Sequence, residues 1–239
     1  MTSTFVARQI FAMGGGRFSM EPENLLLDRY ILELSDKEKP TVCFIPTASG
    51  DSDKYIVQFY STYTHLPCQP SHLSLFFPHT ADLRSFLLEQ DTIYVGGGNT
   101  KSLIALWREW ELDKILREAW ENGVILAGLS AGSICWFEQG LTDSIPGKFT
   151  VLECLGFLKG SNCPHYDGEP ERRPAYHRLL FQGLISSGYA ADDGVGLHFV
   201  DDKLEKIVSS RPHAKAYRVE KLNGITETVL EPLYLGKDT

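Results

Sequence analysis

Short apolar runs, punctuated by glycine and proline, alternate with stretches of helical periodicity through the first half of the chain. That is the pattern of parallel βαβ units. Val6 to Met13 predicts a strand running into Gly14-Gly15-Gly16. Pro22 to Leu34 predicts a helix, with proline near the first turn, where a missing N–H leaves nothing unpaired. Thr41 to Ile45 predicts a strand stopped by Pro46, Asp51 to Thr64 a helix, Leu73 to Phe77 a strand and Ala81 to Glu89 a short helix. Thr92 to Val95 predicts a buried strand that enters Gly96-Gly97-Gly98-Asn99-Thr100. A long helical pattern with a break then continues to Asn122-Gly123, and Val124 to Ala127 predicts the next strand.

The second half differs. Residues 140 to 170 are rich in Gly, Pro, Asp and Asn and read as loops, followed by a helix from Arg172 to Ser187. Strand-like runs then follow at Val195 to Val200, Ile207 to Ser209, Ala216 to Val219 and Thr228 to Leu235. Asp201-Asp202-Lys203 and Asn223-Gly224 between them predict antiparallel hairpins. With no repeat, low-complexity segment or composition break, residues 1–239 are expected to form one domain: three-layer α/β with a mostly parallel sheet and an antiparallel C-terminal extension.

Composition narrows the partners. The 239 residues are 43% hydrophobic and 23% charged, with a net charge of −8. A soluble globular chain is expected, and neither nucleic acid nor an anionic membrane is expected as a partner, since both call for basic patches. The five cysteines (Cys43, Cys68, Cys135, Cys154 and Cys163) form no CxxC pair. Free thiols in a reducing compartment are expected. The N-terminus lacks the pattern of a signal peptide, and no apolar run approaches the about 20 residues that span a bilayer. The cytoplasm is the expected location.

The strongest chemical signal is Val124-Ile125-Leu126-Ala127-Gly128-Leu129-Ser130-Ala131-Gly132-Ser133. An apolar strand feeds Gly-x-Ser-x-Gly, and a helix-compatible stretch follows, as in a nucleophile elbow that exposes a serine Oγ on a tight turn. The N–H of Ala131, the residue after the serine, is placed to donate to an oxyanion. A second donor is expected from the glycine-rich run Gly96-Gly97-Gly98-Asn99-Thr100, in which Gly97, Asn99 and Thr100 are also candidate substrate contacts. That run lacks the spacing of a phosphate or dinucleotide loop. Gly14-Gly15-Gly16 either lines the same pocket or is a simple turn.

A serine nucleophile needs a base. Of seven histidines, His165 stands out because it follows the elbow in a loop-like segment, Asn162-Cys163-Pro164-His165-Tyr166-Asp167. His177 and His198 sit in helix and strand patterns and are expected to be structural or solvated. The acid orienting the base is open between Asp143 and Asp193, with Glu153, Asp167 and Glu169 as further candidates; each also fits a turn-capping role. Glutamine amidotransfer is disfavoured because the elbow holds Ser130 and not a cysteine; Cys135, a turn and a half into the following helix, is expected in the core. Trp107, Trp110 and Trp120 fit either a dimer face or the core, so a homodimer is a candidate assembly.

The ordered set Gly96-Gly97-Gly98-Asn99-Thr100, Gly128-Leu129-Ser130-Ala131-Gly132 and Pro164-His165-Tyr166 resembles the peptidase E family. These are the α-aspartyl dipeptidases of serine peptidase family S51, related to cyanophycinases. The resemblance runs from about residue 8 to about residue 200. It implies a fold similar to class I glutamine amidotransferases, with Ser130 as nucleophile, His165 as base, and Gly98 and Ala131 as oxyanion donors. Asp143 lies near the family's acidic residue after the nucleophile and is favoured over Asp193, which lies in a second acidic-Gly motif. No metal or organic cofactor is implied.

One departure bears on substrate. Family members that require an N-terminal aspartate carry a longer loop after the histidine, ending in an arginine that meets the substrate carboxylate. Here the loop is short, leaving Arg172 or Arg173 for that task and Glu169 or Glu171 to hold an α-ammonium. The expected reaction is serine-dependent hydrolysis of short peptides. The alternatives are a broader aminopeptidase, a non-peptide amidase or esterase, and a catalytically silent binding protein.

Overall fold

The structure is a computed structural model describing residues 7–16 and 18–236. The expected strand start at Val6 lies outside the described residues. In chain order the first half comprises β1 (Gln9–Met13), α1 (Leu26–Glu33), β2 (Thr41–Ile45), α2 (Asp53–Tyr63), β3 (Gln69–His72), α3 (Leu83–Leu88) and β4 (Thr92–Val95). Then come α4 (Thr100–Glu109), α5 (Leu112–Glu121), β5 (Ile125–Leu129) and α6 (Ala131–Ile134). The expected helix break falls at Glu111, which takes a left-handed φ of 53° between α4 and α5.

The second half comprises β6 (Phe137–Ile145), β7 (Lys148–Glu153), β8 (Leu158–Cys163), α7 (Arg172–Phe181), β9 (Gly188–Ala191) and β10 (Val195–Val200). It ends with β11 (Lys203–Ser209), β12 (Ala216–Lys221), β13 (Ile225–Leu230) and β14 (Leu233–Tyr234).

The strands form two sheets. The larger has the order β14-β11-β10-β1-β5-β4-β2-β3, with β1, β5, β4, β2 and β3 parallel and β10 antiparallel to both its neighbours. Alternation along its central strands sorts side chains to two faces. Phe11, Phe44, Tyr94 and Ala127 pack with Leu27 and Ile31 of α1 and Phe59 and Tyr63 of α2. Ile10, Ile45, Val95 and Leu126 pack on the other face with Leu87 of α3, Leu103 and Trp107 of α4 and Leu116 of α5. A sheet covered on both faces needs continuous apolar strands, which is why these runs are visible in sequence. This is the expected three-layer architecture. Trp107 and Trp120 are core residues, whereas Trp110 is partly exposed.

The smaller sheet, β13-β12-β9-β8-β6-β7, replaces the loops expected at 140–170. Its glycines are strand residues that admit close neighbours: a Cβ at Gly140 would overlap the Ile134 side chain of α6. Helix α7 packs on it through Tyr176 and Leu180 against Leu141, Ala190 and Val219. That helix stops at Phe181, before the expected Ser187, with Gly183 at φ 70° closing it. Both expected hairpins form, β10–β11 in the large sheet and β12–β13 in the small one.

The strand expected at Leu73 to Phe77 forms earlier instead, at Gln69–His72, as an edge strand that tolerates Pro70. Leu73 and Leu75 are core side chains, while the Leu75 and Phe76 N–H groups donate to the Asp51 carboxylate at 2.7 and 2.9 Å. No helix among the described residues is long and apolar enough to cross a membrane.

Candidate active site

Strand β5 ends at Leu129, and Ser130 caps α6 with φ 52° and ψ −114°. Side chains seldom take that backbone conformation. The flanking glycines make it sterically possible: a Cβ at Gly128 would overlap the Gly132 carbonyl, and one at Gly132 the Val95 carbonyl. The Ser130 carbonyl accepts the N–H groups of Ser133 and Ile134, both at 2.9 Å, and so starts the helix. The Ala131 N–H makes no hydrogen bond among the described residues, as expected for a first-turn donor.

The glycine-rich run after β4 lies directly against Ser130. A Cβ at Gly97 would stand 3.2 Å from Ser130 Cβ. Within the run the Gly96 N–H donates to the Ile45 carbonyl at 3.1 Å, Gly97 to the Tyr55 hydroxyl at 3.3 Å, and Asn99 to the Ala48 carbonyl at 2.7 Å. Gly98, at φ 140°, is left with an N–H that bonds nothing among the described residues. Gly98, next to the Gly97 that abuts Ser130, and Ala131, next to Ser130 itself, therefore each carry an N–H that bonds nothing among the described residues.

His165 lies after β8, also with a left-handed φ, 54°. Its Nδ1 is 2.6 Å from Asp193 Oδ1, and both side chains are nearly buried. Donation from Nδ1–H to the carboxylate leaves Nε2 as the nitrogen able to take a proton. Asp193 is itself held by its own N–H donating to Asp167 Oδ1 at 2.7 Å, and by Gly194 N–H donating to the Gly15 carbonyl at 2.9 Å.

The end of β1 joins these parts. The Ser130 N–H donates to the Met13 carbonyl at 3.2 Å. Two residues on, a Cβ at Gly15 would overlap Asp193 Oδ1 and stand 2.8 Å from His165 Nδ1. Gly14-Gly15-Gly16 is thus a wall of the site. A second tie comes from Asn162, whose side-chain amide donates to the Ser133 hydroxyl at 3.0 Å and couples the His165 strand to α6.

Other expected residues go elsewhere. Asp143, the favoured acid in sequence, does not face His165. It lies on β6 with a largely exposed side chain, 3.6 Å from the Arg172 guanidinium. Asp193 is the carboxylate that bonds His165. Asn99 caps α4 by accepting from Ser102 N–H at 2.9 Å and donates to the Ser144 carbonyl at 2.9 Å. Buried Thr100 accepts from the Thr142 hydroxyl at 3.2 Å. Arg172 is buried, bonded to Glu169 at 2.8 Å and the Leu141 carbonyl at 3.2 Å, which commits both Arg172 and Glu169 to structure. Arg173 is half exposed, pairs with Glu227 and lies over the rings of Tyr166 and Tyr217, each 5.2 Å away.

His177 bonds Tyr166 and Glu227, and His198 bonds Tyr30 and Gln9. Both are structural, as expected. Glu227 is a site neighbour that sequence reading missed, because it arrives from β13, 62 positions after His165 (227 − 165). All five cysteines are free and buried, and burial holds the Cys135 thiol well above its usual pKa. Among the described residues no group of three or more His, Cys, Asp or Glu is arranged to hold a metal ion.

Known proteins share this framework. The model of peptidase family S51 matches residues 10–207. The peptidase YgaJ of Bacillus subtilis (strain 168) is 61% identical over 230 residues, covering 96% of this chain and 100% of that protein. Peptidase E of Pasteurella multocida (strain Pm70) is 26% identical over 179 residues, covering 69% and 74% of the two chains. The crystal structure of a peptidase from an acI-B1 Actinobacterium superposes with a TM-score of 0.71 at 19% identity, covering 95% of this chain and 96% of that one. With its sequence matched over this length and its fold shared, the chain belongs to peptidase family S51 and is a serine peptidase.

Proposed function

We propose that the chain is an exopeptidase of short peptides, with dipeptides bearing an N-terminal aspartate as its leading substrates, working through Ser130, His165 and Asp193. The hydrogen bond between His165 Nδ1 and Asp193 Oδ1 at 2.6 Å carries this reading, because it supplies an oriented base against Gly15, two residues after the Met13 carbonyl that accepts the Ser130 N–H. Ser130 Oγ attacks the scissile carbonyl as His165 Nε2 takes its proton. The N–H groups of Gly98 and Ala131 receive the charge that develops on the carbonyl oxygen. His165 then protonates the leaving amine, and water resolves the acyl-enzyme by the reverse path.

Arg173, not the buried Arg172, is the cation proposed to meet a substrate carboxylate, since it is half exposed beside Tyr166. Its pairing with Glu227 supports a second reading, a broader aminopeptidase, because that carboxylate already occupies the guanidinium. The test is hydrolysis of Asp-Leu, Glu-Leu, Ala-Leu, Leu-Leu and N-acetyl-Asp-Leu by wild type, Ser130→Ala and Arg173→Met. Cleavage of Asp-Leu that falls by at least about 10³-fold in Ser130→Ala is expected. Arg173→Met is expected to lower the Asp-Leu to Ala-Leu preference. Equal rates on both dipeptides in wild type favour the broader enzyme, and no cleavage of any peptide removes the exopeptidase assignment.

A further inference from the structure

Helix α2, which packs on the Phe44 and Tyr94 face of the large sheet, contributes a residue to the surroundings of the glycine run. Tyr55, in the first turn of α2, packs its ring on Phe44 (centroids 5.0 Å apart) and Phe18 (5.7 Å). Its hydroxyl oxygen accepts the Gly97 N–H at 3.3 Å. A Cβ at Gly96 would stand 2.9 Å from the Tyr55 ring, so the ring also limits where the run can go. Beyond Gly98, the Ala48 carbonyl holds Asn99 N–H at 2.7 Å, and a Cβ at Gly98 would overlap that same carbonyl.

The Gly96–Asn99 segment is therefore clamped on both sides of the Gly98 N–H, which bonds nothing among the described residues. Consecutive glycines have little intrinsic preference for one backbone conformation, so a donor in such a run is preorganised only if its neighbours are held. Without the Tyr55 hydroxyl, the hold before Gly98 falls back to the Gly96 N–H on the Ile45 carbonyl at 3.1 Å, leaving the Gly97 N–H without its acceptor.

We propose that Tyr55 is a positioning residue of the oxyanion hole: by accepting the Gly97 N–H it holds the Gly96–Gly97 peptide plane, which precedes the plane carrying the Gly98 N–H, and so limits how that donor is aimed at the developing oxyanion. The proposal rests on the serine-hydrolase reading of Ser130. It requires no new covalent step, and Tyr55 does not touch the reacting atoms.

The test compares Tyr55→Phe with Tyr60→Phe. The first keeps the ring and removes only the hydroxyl. The second removes a hydroxyl from the same helix that bonds His72 at 2.9 Å, away from the run. Reaction of wild-type Ser130 with a fluorophosphonate comes first. Steady-state kinetics on the best dipeptide and inhibition by a peptide aldehyde, which forms a tetrahedral adduct on serine, follow.

Tyr55→Phe is expected to lower kcat about tenfold or more with KM changed less than about twofold, and to weaken the aldehyde by a similar factor. Tyr60→Phe is expected to leave both unchanged. A Tyr55→Phe protein that labels normally, melts at a lower temperature, yet keeps kcat and aldehyde affinity overturns the proposal, since a merely structural tyrosine behaves that way. Absence of labelling in folded wild type overturns the serine reading and this proposal with it, and so is distinguishable from failure of Tyr55 alone.

Discussion

Ser130 and His165 both sit at left-handed backbone angles, φ 52° and 54°, which cost about 1–3 kcal/mol each for residues with a side chain. Their surroundings impose those angles: Gly128 and Gly132 let the elbow close, and Tyr166 N–H donating to the Ala191 carbonyl at 3.1 Å fixes the turn at His165. Beside the pair, burial pushes the Asp192 carboxyl up to about 6, and the charges of Asp167 and Asp193 push the same way against Lys215 N–H and Arg173. An unfolded aspartate titrates near pH 3.9, about 2 units lower. Between those values the folded state keeps a proton that the unfolded chain releases, so stability falls as pH rises from about 4 to about 6. Above that range the ionised group costs the fold about 3 kcal/mol. Asp192→Asn keeps a carbonyl oxygen for the Lys215 N–H, which bonds Asp192 Oδ2 at 2.8 Å. Urea unfolding of Asp192→Asn is expected to show added stability near neutral pH and none near about pH 4. Equal stabilisation at both pH values would contradict this electrostatic account.

At the scale of elements, the parallel half was legible because strands buried on both faces must be continuous apolar runs, and Pro46 and the glycines after β1 and β4 mark their ends. The elbow was legible for the same reason: its glycines are required by backbone contacts. The small sheet was not. Its strands are partly exposed, β6 slips register between Thr142 and Ile145, and Gly140 serves close packing in a strand where it reads as a turn. The choice between Asp143 and Asp193 could not be made locally either, since both precede turn signals and only tertiary contact with His165 separates them. The end of β1 is where this matters most for activity. Gly15→Ala places a Cβ into Asp193 Oδ1 and against His165 Nδ1. It is expected to cut kcat by about 10²-fold or more while far-UV circular dichroism stays native, because the clash falls on the His–Asp bond. Native spectra with unchanged kcat would show that Gly15 does not support the pair.

Across the whole molecule, the site is an assembly of two sheets. The larger sheet brings Ser130 at the end of β5 and the donors of the Gly96–Asn99 run after β4. The smaller brings His165 at the end of β8, tied to α6 by the Asn162–Ser133 bond, while Asp193 lies on the segment joining β9 of the small sheet to β10 of the large one. An acid on that crossover reports on the seating of one sheet against the other, whereas Asp143 on β6 faces Arg172 and serves the small sheet alone. The direct test of this assignment is kcat for the best dipeptide in Asp193→Asn beside Asp143→Asn. The structure predicts a loss of about 10²- to 10⁴-fold for Asp193→Asn, as for an acid that orients a catalytic histidine, and less than about threefold for Asp143→Asn. The reverse order would contradict the Ser130–His165–Asp193 arrangement and return the orienting role to Asp143.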